Sequence, residues 1–176
     1  MSELYDRIMS NKGSFERLIA RIPGFKGYQE KQARRNADSM LREHIARELD
    51  ERLRRFVRIE KLILETMGLS YMTRSRDVKG KVQLYRDKIT AAMPGYDGMW
   101  AQMKIEEEEL EQIYAFDEAQ IMYVDKIDVV LDTIEQAALQ KEGLEEALYE
   151  LDTVASEAID AFDMRADILT NFGKTI

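Results

Sequence analysis

The chain has no cysteine, a single histidine and only two prolines among its 176 residues. Without cysteine there is no disulfide framework, no thiolate metal site and no cysteine nucleophile. His44 is the sole imidazole, so sites needing two are excluded and one candidate imidazole base remains. Two prolines and nine glycines are too few for a β-sandwich, a collagen-like repeat or a disordered tail. No run of eighteen apolar residues occurs, so no segment suits a membrane-crossing helix. The opening stretch, MSELYDRIMSNKGSFERL, mixes acids and bases. It lacks the unbroken apolar core of a secretory signal, and cytoplasmic residence is the expectation.

Charge is present in quantity and unevenly spread. The net charge is −8, which disfavours non-specific binding to nucleic acid. Residues 1–100 carry 21 bases and 14 acids, a net of +7, while residues 101–176 carry 5 bases and 20 acids, a net of −15. Basic helices lying beside acidic ones in a single bundle would satisfy this asymmetry. Docking of the basic half on an anionic surface is the alternative.

Apolar periodicity predicts an all-α fold in one helical domain over 1–176: short amphipathic helices in 1–22, a basic half in 23–93 and an acidic half in 94–176. Short helices are expected at 3–10 and, capped by Ser14, up to Ile22. A long helix over about 27–67 follows from Ala37, Leu41, Ile45, Leu49, Leu53, Phe56, Ile63 and Met67 in steps of three, four and seven. Gly68 should end it. Asp77 is a candidate cap for a helix reaching Met93, and Asp97 for a second long helix over about 98–139. That helix has a heptad seam through Ile113, Phe116, Gln120, Tyr123, Ile127, Val130, Ile134 and Ala137. A last helix spans about 144–171, with Gly173 as its stop. Short connections imply antiparallel neighbours in an elongated bundle.

Both prolines fall in one pattern, Pro-Gly-aromatic-x-Gly: Pro23, Gly24 and Gly27, then Pro94, Gly95 and Gly98, 71 residues later. Proline cannot continue a helix and glycine accepts positive φ, so each is a helix corner. One reading is a duplicated helical hairpin in which 14–67 and 84–139 superpose. The other is two corners that converged on the same turn chemistry.

Candidate chemistry is confined to carboxylates in apolar settings. Asp117 and Asp128 are eleven residues apart and point nearly the same way on a helix. Arg165 is the one base in the final helix's apolar seam, so Asp117, Asp128 and Arg165 form a candidate structural pairing. The metal alternative is a ferritin-like bundle with Asp117, Asp128, His44 and Glu48 as ligands. Such sites use paired Glu-x-x-His motifs, and His44 has Leu41 where the glutamate belongs; a carboxylate Mg²⁺ or Ca²⁺ site is the form left. Gly80-Lys81-Val82 lacks the remainder of a phosphate-binding loop, and no Gly-x-Ser-x-Gly elbow occurs.

Two acidic stripes follow helix periods: Glu111, Glu118, Asp125 and Asp132, then Asp160, Asp163 and Asp167. They are either solvated faces or docking stripes for the helix carrying Arg47, Arg54, Arg55, Arg58 and Lys61. The expectation is a non-catalytic scaffold or assembly protein without a cofactor, acting through coiled-coil-like contacts with further copies or a helical partner. The alternatives are the metal-binding bundle and a peripheral membrane adaptor using the N-terminal amphipathic helices.

Overall fold

The computed structural model describes residues 2–91, 100 and 103–174. Among these residues the chain is helical with no strand: α1 Glu3–Met9, α2 Ser14–Arg21, α3 Arg34–Met67, α4 Met72–Thr90, α5 Glu107–Gln140 and α6 Leu144–Lys174. Four long helices form the bundle. α3 packs on α4 and α5, and α6 packs on the same two, so α3 lies diagonally across from α6.

Ion pairs fix the directions. Arg86 reaches Asp50 at 2.9 Å and Lys79 reaches Glu60 at 2.7 Å, so α4 runs antiparallel to α3. Lys81 meets Asp152 and Lys88 meets Asp163, making α4 and α6 parallel. Arg55 reaches Asp128 and Glu135, while Asp38 and Asp117 share Arg165, so α3 and α5 are also parallel. The architecture is two antiparallel hairpins, α3–α4 and α5–α6, laid side by side. Both hairpin turns sit at the distal end of the bundle, and the starts of α3 and α5 sit at the proximal end.

Local chemistry explains most boundaries. Gly68, at φ +76°, ends α3 as expected. α5 opens on a capping box in which Glu106 and Glu109 each accept from the other's backbone N–H, and Glu107–Glu109 face the positive end of the helix dipole. Four expected starts move. The cap of α2 is Gly13, and Ser14, already helical, turns its hydroxyl to Glu118. α4 begins at Met72, which leaves Asp77 inside it. α3 begins at Arg34 rather than 27, because Gly27 at φ +80° sends Tyr28 into the core before the helix starts. α5 begins at Glu107 rather than 98, after non-helical residues 103–106. The second corner (Pro94, Gly95, Gly98 and the candidate cap Asp97) lies outside the described residues.

Helix direction argues against the duplicated unit. Arg17 and Arg21 meet Glu118 and Asp125, so α2 runs parallel to α5 and therefore to α3. α4 runs opposite to α5. The step from α2 to α3 keeps direction while the step from α4 to α5 reverses it, so 14–67 and 84–139 do not superpose.

α1 and α2 lie on the outside of α5 with their apolar faces inward: Ile8, Leu18 and Ile22 are buried. α5 is thereby covered on several sides, and every residue of its predicted seam is buried.

The first corner is closely packed around Gly27. A Cβ on Gly27 would stand 2.3 Å from Tyr114 Oη and 2.8 Å from Phe15 Cε2. With positive φ as well, Gly27→Ala should cost about 2 kcal/mol or more. Urea denaturation reads that loss, and an unchanged midpoint would contradict the described corner.

Candidate functional site

The densest polar chemistry lies inside the proximal end. Arg165 occupies a seam position between the buried Ala161 and Leu169, so helical periodicity drives its side chain inward. Its guanidinium is 2% exposed. Nε donates to Asp117 Oδ1 at 2.6 Å, and Nη2 donates to Asp38 Oδ1 at 2.7 Å and Tyr28 Oη at 3.2 Å. The Tyr28 hydroxyl donates to Asp117 Oδ2 at 2.5 Å. Arg42 Nε closes the chain on Asp38 Oδ2 at 2.9 Å. Two carboxylates face two guanidiniums, so formal charge balances within the cluster, the condition under which buried ions are tolerated.

Aromatic side chains plug the end above it. Trp100 stacks on Tyr28 with ring centroids 5.3 Å apart and planes within 3°. Tyr114 accepts the Tyr28 backbone N–H at 2.9 Å and stacks on Phe15. Arg34 donates to the carbonyls of Tyr28 and Met103, tying the first corner to the segment that leads into α5.

Burial pushes the Asp117 carboxyl up to about 6, against the opposing pull of Arg165 and the Tyr28 hydroxyl. Burial, then the charge on Asp117, pushes the Tyr28 phenol well above its ordinary value. Tyr28 therefore stays a protonated donor. All four carboxylate oxygens of Asp38 and Asp117 already accept from Arg42, Arg165 or Tyr28. A cation would have to displace a guanidinium or the phenol to be held there. Among the described residues no group of three or more histidines and acids is arranged to hold a metal ion.

The expected pairing is therefore met by Asp117 and Arg165 and not by Asp128. Asp128 lies about 16 Å further along α5 and is 46% exposed, bonded to Arg55 at 3.0 Å. His44 and Glu48 do not face a common ligand position. Glu48 bonds Arg52. His44 is buried, with Nδ1 at 3.4 Å from Arg47 Nη2 and no partner on Nε2 among the described residues. Burial lowers its pKa, which favours the neutral ring.

The first acidic stripe is a docking stripe, though mostly for another helix. Glu118 takes Ser14 and Arg17, Asp125 takes Arg21 through two bonds of 2.7 and 2.9 Å, and Asp132 takes Arg55. Only Arg55 of the five bases singled out on α3 joins it. The Arg21 guanidinium holds the Asp125 carboxyl below the usual range.

Several residues of the core network escape the sequence reading: Tyr28, Asp38, Arg42 and the pair Tyr85–Gln120. Tyr85 donates to Gln120 Oε1 at 2.6 Å across the other diagonal of the bundle, from α4 to α5. Gln120 carries a signal, being the one polar residue in an otherwise apolar heptad seam. Asp38 carries a weaker one, directly beside the seam residue Ala37. Tyr28 carries none, because it precedes its helix.

No protein-family model, curated protein or solved structure matches the chain.

Arg165→Met should cost about 3–5 kcal/mol at neutral pH, because it leaves two buried carboxylates without their shared partner. Chemical denaturation measures this, and a loss under about 1 kcal/mol would mean that the network contributes little. A second expectation concerns pH. With its folded-state pKa raised from 3.8 to about 6, Asp117 contributes stability that is full below about pH 4 and lost as pH rises through about 6. The stability difference between wild type and Asp117→Asn should move in the variant's favour across that window and level off above it. A difference independent of pH would contradict the raised value.

Proposed function

We propose that the chain is a non-catalytic helical scaffold that works through helix-to-helix contacts on its surface, including contacts between its own copies. The observation that carries this reading is the contrast between its inside and its outside. Polar groups in the interior are engaged mainly with one another, whereas large apolar side chains remain on the outer faces of the long helices. Tyr149 is 65% exposed, Val129 63% and Val57 54%. Exposed apolar groups on helix faces are what a docking helix covers.

A groove of about 550 Å³ between α2 and α5 adds to this. Four of its charged residues are paired as Arg17–Glu118 and Arg21–Asp125, Lys12 stands at its edge, and Leu18, Ala20, Ile121 and Met122 give it an apolar lining. The metal-binding alternative is less well supported, since both oxygens of Asp117 are engaged and Asp128 lies elsewhere. The membrane alternative needs an apolar face on residues 1–22, and Ile8, Leu18 and Ile22 spend theirs on α5 and its neighbours.

Light scattering tests the reading. At low salt the solution mass should exceed the 20.5 kDa of one chain and rise with concentration. A single-chain mass at every concentration and salt level would overturn the proposal that copies associate.

A further inference from the structure

Several basic side chains on the flanks of the bundle are used internally: Arg17, Arg21, Arg55, Lys81, Arg86 and Lys88 each meet an acid of a neighbouring helix. The outward face of distal α3 differs. Arg54, Arg58 and Lys61 are exposed, and among the described residues none of them meets an acid. Along the same face, at helical spacing, stand the exposed Val57 and Leu64, with one acid, the exposed Glu65, at its distal end. The first turns of α6 carry the opposite pattern. Glu145, Glu146 and Glu150 are exposed and likewise meet no base among the described residues, and Tyr149 stands exposed between them.

These stripes match in charge and in apolar content, and they lie at one height. Ser75 at the start of α4 bonds Glu60 of α3, and Lys81 one and a half turns on meets Asp152 of α6. The opening of α6 is thus level with residues around 60 of α3. Yet α3 and α6 are the diagonal pair, so their outward faces point away from each other. Within one molecule they can never meet.

Resting on the scaffold reading, we infer that the basic–apolar stripe of α3 receives the acidic–apolar stripe of α6 from a second copy of this chain. α3 and α6 run in opposite directions, so copies in the same orientation would pair them as antiparallel helices, the relation α5 and α6 already have. The two surfaces are different patches on opposite sides, which makes the contact head-to-tail. Such contacts build rings or open rows, whereas a closed dimer uses one self-complementary patch. Charge sets orientation and encounter rate, and the apolar residues between the charges supply the area to be buried.

Sedimentation at low salt should show the wild-type mass growing past the dimer with concentration, and high salt should reduce it. Two charge-reversed proteins, Arg54→Glu with Arg58→Glu and Glu146→Lys with Glu150→Lys, should each remain single chains with wild-type circular dichroism. Their equimolar mixture should associate again, because each keeps the stripe the other lacks. A wild type that stays a single chain at low salt overturns both this interface and the proposed self-association. A wild type that associates while both reversed proteins associate equally well overturns the interface alone, as does growth that stops at the dimer.

Discussion

The bundle is organised around one positive charge that cannot reach water. Arg165 enters from α6 and bonds Asp117 on the adjacent α5 and Asp38 on the diagonal α3. Apolar seams alone tolerate sliding by whole heptads, since leucine against isoleucine is much the same one step along. A guanidinium needs its carboxylates at bonding distance, and any slip separates Arg165 from both of them, leaving Asp38 with Arg42 alone. The Tyr85–Gln120 bond makes a similar demand across the other diagonal. Together these crossbars oppose alternative registers of two otherwise greasy hairpins.

Electrostatics does different work at different depths. In the Arg165 network of the core, charges are few, balanced and hydrogen-bonded to one another. At the seams, arginines of α2 and α3 lie along the acids of α5 and join the N-terminal segment and the first hairpin to the second. Such partly exposed pairs are individually weak, about 0–1 kcal/mol, so their value lies in orientation. On the outermost faces, charges of either sign remain without a partner among the described residues. The opposition between a basic first half and an acidic second half is consumed from the inside outward, and the remainder lies where another molecule can reach it.

Much of this was legible in the residues alone. The seams of α3 and α5 are legible position by position because helical periodicity and burial are the same fact seen twice. Pairing of Asp117 with Arg165 followed from polarity at a seam position. Asp128 was misplaced because direction around a helix says nothing of height along it: the partner stands at the proximal end and Asp128 does not. Tyr28 was illegible because its burial depends on a glycine-permitted turn and a tertiary contact with Tyr114. Helix order around the cross-section was illegible too. Antiparallel neighbours follow from short turns, but the parallel pairings of α3 with α5 and α4 with α6 arise from long-range contacts that local pattern does not encode.

The stacked rings of Tyr28 and Trp100 over the ion network have a consequence in time as well as in energy. Asp117 has no exposed surface, so a proton can arrive or leave only when the proximal end breathes. Its protonation rate is then set by the frequency of that opening and not by collision with hydronium. Residues that plug this end, Trp100 among them, become the governors of how fast the interior senses acid.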